Sequence, residues 1–447
     1  MHTRTIALAA VILAAVMDLV DGTVVNTVLP VITRELAADG AAAGWIASAY
    51  PLALGVLMLV GGRLGDRFGH RRVLLAAAAG FGAASLACAL ARTAGELVAA
   101  RAAHGVTAAI MVPQALALIQ LLYPPTQRGR ALSVFAAVAG VATVAGPIGG
   151  AVLTEADPLG LGWRAVFLVN LPLVALVLAA GTALPASQGD RRAALDLPGA
   201  VLLAGSLVLA LLALLRGGEH GWTGTEAALL LGASVVFAGF VAVQRRRGGS
   251  ALVDPGLFRA AGFTGAVLVT ASVYAAVFGL FFTFTLYLQS GLGWSPAHAA
   301  VTILPWALGI PMASAPAARW LVPAHGRRVL QAGVALFVLG LLALLAATGT
   351  HAATTVGMLP GLLVAGVGMG LIVAPVLGLG LAGVPAHLAG AASGVINNVQ
   401  QVAGAVGLGV VGSVYVAGPR DEITGALWVV VALAAAAAPA VRLLPRS

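Results

Sequence analysis

GGRLGDRFGHRR, residues 61–72, sets four arginines, Asp66 and His70 between two apolar runs, AYPLALGVLMLV (49–60) and VLLAAAAGFGAASLACAL (73–90). With its flanking residues, each run approaches the ~20 residues with which a helix crosses a bilayer core. The stretch therefore reads as a charged turn between two membrane spans. The same cut, made wherever charge, Pro and Gly interrupt an apolar run, predicts fourteen spans. They lie near 7–30, 44–64, 73–92, 95–122, 131–153, 164–184, 197–216, 226–244, 263–288, 297–317, 329–348, 354–381, 390–416 and 424–443. The first run carries two acids and lacks a convincing cleavage site, so it is read as helix 1 and not as a signal peptide. The expected class is an all-α membrane protein.

Composition agrees. Of 447 residues, 60% are hydrophobic and 9% charged, at a mean hydropathy of +1.03, whereas a soluble domain carries about 25% charged residues. A net charge of +9 would suit nucleic acid, but the arginines fall in short clusters between apolar runs and form no continuous basic face. Nucleic acid is not an expected partner; the lipid bilayer is. All 24 basic residues are Arg, and a phosphate-binding loop needs Lys, so a nucleotide-driven pump is excluded. The single cysteine, Cys88, excludes an intramolecular disulfide and a Cys-rich metal site. No cofactor motif, metal-ligand spacing or nucleophile with its base appears, so neither cofactor nor metal is expected and an enzyme is disfavoured. His298, His351 and His387 stand near predicted span ends without ligand spacing.

With the N-terminus inside, eighteen of the 24 arginines fall in cytoplasmic segments. That bias orients the chain with both termini in the cytoplasm. The loop GGEHGWTG (217–224) is then expected outside and RRRGG (245–249) inside.

The 61–72 loop resembles the G-x-L-x-D-R-x-G-R-R loop of the major facilitator superfamily. Further matches follow in the family's order: RAAHG (101–105) with Pro113, AGPIGG (145–150) and WRAVFLVNLP (163–172). DGTVVNTVLP (21–30) resembles the first-helix motif of the fourteen-spanning drug:proton antiporter branch. Looser matches are YLQSGLGWSP (287–296), LPWALG (304–309) and GAASGVINNVQQVAGAVG (390–407). The resemblance implies two six-helix bundles, 1–186 and 261–447, joined by a linker with two additional spans, 187–260, and substrate binding near mid-membrane. It makes Gly62, Asp66, Arg67, Gly69 and Arg71 a conformational latch. Gly146, Pro147, Gly149 and Gly150 become a kinked, close-packing antiporter segment, although Gly and Pro there also suit ordinary helix packing.

Substrate contacts are sought among polar and aromatic side chains of the spans. Asn26 belongs to the first-helix motif. In VYAAVFGLFFTFTLYLQ (273–289), Tyr274, Phe278 and Phe281 or Phe282 share a helix face that suits a planar apolar ligand or plain packing. Asn397, Gln400 and Gln401 form an amide cluster that bonds across helices or contacts substrate. The ninth-span face and the amides are read as the substrate wall of the second half.

Two acids inside the first span need partners, because a lone carboxylate at that depth is costly. Asp21 lies nine residues below the outer end of helix 1 and Arg101 six below that of helix 4, at depths of roughly 13 and 9 Å. Asp18 and His104 each lie three residues deeper. The expected arrangement is a two-rung ladder, Asp21 with Arg101 and Asp18 with His104, serving as a proton relay; the bland alternative is a static ion pair. Together these features point to a secondary transporter in a bacterial inner membrane that works as a monomer and exports small hydrophobic or cationic molecules in exchange for protons. Uptake by symport and a non-transporting membrane sensor are the alternatives.

Overall fold

The computed structural model describes residues 2–187, 189–190, 195–248, 251–349, 354–385, 388–419 and 422–445. Arg191, Arg192, Gly249, His351, His387, Arg420 and Arg446 lie outside the described residues. The long helical segments, in chain order, are α1 (His2–Glu35), α2 (Gly40–Phe68), α3 (His70–Leu90), α4 (Ala94–Leu122), α5 (Pro125–Ala156), α6 (Gly162–Ala183) and α7 (Leu197–His220). There follow α8 (Gly224–Arg247), α9 (Phe263–Gly291), α10 (Pro296–His325), α11 (Arg328–Thr348), α12 (Thr355–Leu381), α13 (Ala389–Ala417) and α14 (Thr424–Val441). No strand occurs among the described residues. Thirteen of these segments are long and apolar enough to cross a membrane, and α5, 32 residues long, covers the remaining predicted span.

Polar residues just ahead of apolar runs start the helices. Asp39 accepts from the Ala42 amide at 2.7 Å to cap α2, and Thr93 accepts from Glu96 at 3.2 Å to cap α4. α2 ends at Gly69, where φ is +90° and a Cβ would meet the Ser187 carbonyl, so the turn into α3 requires glycine. The predicted loop 217–224 is shorter than expected. Helix α7 continues through Gly217–His220, Gly221 turns at φ +83°, and Thr223 opens α8 in a capping box with Glu226.

The chain forms two compact units, Met1–Ala204 and Gly205–Ser447. In the first, α1 to α6 bury Met17, Tyr50, Phe81 and Val177 in one core. In the second, α7 packs on α13, with Leu211 against Gly409 and Gly218 against Ser413. Helix α8 is the least buried of the membrane helices, at 17% of its most apolar window. The turns Tyr287–Gly291 in α9 and Ala317–Leu321 in α10 are π-helical, each wide enough to take one extra residue.

Candidate functional site

The first unit holds a polar cluster in its core. Asp21 on α1 is 1% exposed, and Arg101 and His104, one turn apart on α4, are as deeply buried. Arg101 donates from Nη1 to Asp21 Oδ2. His104 Nδ1 stands 3.3 Å from that same oxygen and 3.3 Å from Arg101 Nη1, while its Nε2 faces Ser85 Oγ of α3 at 2.9 Å. Asn170 of α6 donates to Ser85 Oγ at 3.2 Å and reaches Asp21 Oδ1 at 3.5 Å. Four helices thus contribute to one polar cluster around the Asp21 carboxylate. A neutral imidazole at this point has two choices: with a bare Nδ1 it accepts from Arg101, and with Nδ1–H it donates to Asp21.

Apolar rings wall the cluster. The Arg101 guanidinium lies 4.4 Å from the centre of the Tyr50 ring and 5.9 Å from that of Phe167. His104 sits against Phe81, with ring centres 3.9 Å apart. Such packing excludes water and strengthens every charge interaction inside.

The upper rung of the expected ladder is present, Asp21 with Arg101. The lower rung does not form. Asp18 accepts instead from the Tyr50 hydroxyl of α2, at 2.5 Å to Oδ1, and His104 rises to join Asp21. Side-chain tilt explains the offset. Three chain reversals make α1 and α4 antiparallel, and Cα–Cβ bonds lean toward each helix's own N-terminus. Asp21 therefore leans toward the N-terminal end of α1 and His104 toward the C-terminal end of α1, so they meet at one level and Asp18 is left a turn away.

The 61–72 loop folds onto its own unit. Asp66 is exposed and faces His70 one turn on, at 3.6 Å, while its carbonyl accepts from the Asp190 amide at 2.7 Å. The His70 amide donates to Ser187 Oγ at 2.8 Å, and its ring Nδ1 meets Gln114 Oε1 at 2.8 Å. Arg67 lies over the Phe68 ring at 5.5 Å. Gly62 faces Pro113 across ordinary contact distance, and Arg71 lines a groove with Phe68 and Ser187.

In α5, a Cβ on Gly146 would strike Thr23 and Val20, and one on Gly150 would strike Val24, all on the turns of α1 beside Asp21. Gly149 is open at that position, and Pro147 is half-buried inside the helix. Within the second unit, Tyr274 and Phe278 form a ring pair at 6.5 Å, and Phe281 meets Trp306 of α10 edge-on at 4.5 Å. Phe278 covers Gly404 of α13, one turn beyond Gln400 and Gln401. Asn26, Asn397, Gln400 and Gln401 are half-buried. The aromatic face and the amide helix are therefore neighbours, whereas Asn26 stands on α1 in the other unit.

A model of the Major Facilitator Superfamily matches residues 11–408. The chain belongs to this superfamily. This major facilitator is 37% identical over 418 residues to a probable actinorhodin transporter of Streptomyces coelicolor, covering 92% of this chain and 72% of that one. It is 37% identical to a puromycin resistance protein of Streptomyces alboniger, covering 91% and 81% of the two chains. It is also 33% identical to a tetracenomycin C resistance and export protein of Streptomyces glaucescens, covering 91% and 74%. Among solved structures, a peptide transporter in complex with sulfate matches with TM-score 0.69 at 17% identity, over 98% of this chain and 96% of that one. An inward-facing bacterial homologue of the lysosomal transporter Spinster matches with TM-score 0.66 at 16% identity, over 99% and 93%. At those identities the likeness concerns the fold alone. The chain is a multi-pass membrane transporter.

Three members of the major facilitator's polar cluster were not picked out from sequence: Tyr50, Ser85 and Asn170. Each is a single polar residue inside an apolar run. The available signal was that each costs free energy in a bilayer unless bonded.

Proposed function

We propose that this major facilitator exports small, largely hydrophobic or cationic compounds of the antibiotic class across a bacterial inner membrane in exchange for protons, with both termini in the cytoplasm. Asp21 is the exchanging carboxyl. The observation that carries the reading is a fully buried carboxylate whose partners are an arginine, an imidazole and an amide from two other helices. A proton on Asp21 removes the charge that holds Arg101, and a cationic cargo competes with that proton for the carboxylate. Arg101 retains the carboxylate between turnovers. His104 accepts from Arg101 when Asp21 is neutral and donates to Asp21 when it is not. The names of the relatives support export of antibiotics.

Other residues take supporting roles in this proposal. Gly62, Asp66, Arg67, Gly69 and Arg71 form the latch that biases the conformers. Gly146 and Gly150 keep α5 close to the acid-bearing turns of α1, with Pro147 and Gly149 shaping the helix between. Tyr274, Phe278 and Phe281, with Asn397, Gln400, Gln401 and Asn26, contact the cargo.

The test is expression in an efflux-deficient bacterium, with puromycin tolerance and ethidium accumulation as readouts. Wild type should lower accumulation in a manner abolished by collapsing the proton gradient, and Asp21→Asn at equal protein level should not. An Asp21→Asn variant that still extrudes against a gradient sinks the assignment, and higher accumulation on expression would favour uptake instead.

A further inference from the structure

Asp18 is the buried acid that the reading above leaves without a task. It lies one helical turn from Asp21 and is 8% exposed, and its hydrogen-bond partner is the hydroxyl of Tyr50, itself 2% exposed. Among the described residues, the ion pairs of this core all end on Asp21 and none on Asp18. The titratable or charged groups around the two acids are Tyr50 of α2, bonded to Asp18, and Cys88 of α3 with Arg101 and His104 of α4, which gather at Asp21. Helix α5 meets this stretch of α1 through Gly146 and Gly150, and α6 brings Asn170; none of these ionises.

One guanidinium therefore stands against two carboxyls. A buried charge without a counter-charge is costly, and two neighbouring carboxylates repel, so with the His104 imidazole neutral the core is electrically balanced when one acid is ionised and the other carries a proton. The Tyr50 side chain joins the two acids. Its hydroxyl donates to Asp18, while its ring face carries the Arg101 guanidinium that serves Asp21.

We propose that Asp18 and Tyr50 form a second proton station, and that Asp21 and Asp18 share a single proton around the fixed charge of Arg101. A proton arriving at Asp21 leaves Arg101 facing Tyr50 and Asp18, and Asp18 then gives up its own proton, one turn nearer the cytoplasmic end of α1. The O–H bond at Asp18 breaks as the one at Asp21 forms, the proton released from Asp18 passes to water on the cytoplasmic side, and the charge of the core is the same before and after the step. The inference rests on the proton-coupled reading of Asp21 and extends it from one acceptor to a two-step path. Tyr50 is a positioning residue in it.

Infrared spectra of the full-length protein in lipid vesicles test this without any cargo, through the carbonyl stretch of a protonated carboxyl. Wild type at neutral pH should show one such band from the membrane core. Asp18→Asn should remove it, and Tyr50→Phe should move its frequency, because the phenol no longer bonds the carboxyl. Asp21→Asn should also remove it, since Asp18 then ionises to balance Arg101; a merely structural Asp18 would not respond. A band that survives Asp18→Asn, or one that survives Asp21→Asn unaltered, overturns the proposal. If Asp18→Asn does not fold, the Tyr50→Phe shift decides: movement supports Asp18 as the carrier and an unmoved band refutes it. Failure here is separable from failure of the exporter reading, which is decided by the accumulation assay on Asp21→Asn.

Discussion

The two units solve the problem of polar groups in a bilayer differently. In the first, Asp18, Asp21, Arg101 and His104 are all buried, and they take part in bonds with residues of α2, α3 and α6. In the second, Glu226 at the α7–α8 turn is the one buried carboxyl, arginine or histidine among the described residues, and the deep polar groups are hydroxyls and amides such as Thr283 and Asn398. Charge transfer and cargo recognition make opposite demands: a carboxylate needs a fixed, dry and bonded setting, whereas a binding wall for varied apolar molecules needs rings and adaptable amides. On the proposed assignment of roles, the division of residues between the units follows that division of demands.

The largest effect expected from breaking this contrast is at Arg101. Arg101→Ala strands Asp21 without its counter-charge, a loss of about 3–5 kcal/mol, seen as a lower unfolding temperature in detergent. Adding Asp21→Asn to it should restore part of that stability without restoring efflux. A neutral outcome for the single variant would mean the core tolerates a naked acid and the contrast is cosmetic.

Next comes the packing that presses α5 against the acids. Gly146→Val overpacks the contact with Thr23 and Val20 and should destabilise by about 1–3 kcal/mol, whereas Gly149→Ala enters open space and should leave expression and efflux near wild type. Equal damage at both would point to a requirement for glycine itself and away from the steric contact.

A smaller effect is expected in the second unit. Phe278→Ala removes a ring that lies beside the amide helix, and should weaken efflux of some compounds about tenfold while leaving others intact, a difference of about 1.4 kcal/mol. The infrared signature of the acids should be unmoved. A loss common to every compound would make Phe278 a packing residue. The smallest stability change is at Asp66, exposed at the α2–α3 turn: Asp66→Asn should stay within about 0.5 kcal/mol of wild type and still lower transport. Normal efflux at normal protein level would reduce Asp66 to a loop charge.

The membrane spans were legible because hydropathy over twenty residues outweighs any local detail, and each predicted span is a helix. Their ends were less so. α1 runs past its apolar core to Glu35, which pairs with Arg164 and accepts from the Trp163 indole at 2.8 Å, a tie that only tertiary structure supplies. The site was half legible. Asp21 and Arg101 declared themselves as opposite charges at matching depth, but depth alone paired Asp18 with His104, because it ignored the tilt of side chains along antiparallel helices. Ser85 and Tyr50 were invisible for a different reason: within an apolar run, one hydroxyl looks like tolerated packing until its partner is known.

The rings around Arg101 have an electrical consequence. A unit charge moved through the full membrane potential exchanges about 2.3 kcal/mol per 100 mV, so any cation that shifts with the transport cycle makes the cycle voltage-sensitive on its own account. Held between Tyr50 and Phe167 and tied to α1, the guanidinium has little room to travel along the field. It acts as a stationary charge, and in the proton-coupled exchange proposed above the voltage dependence of turnover falls to the mobile protons and the cargo.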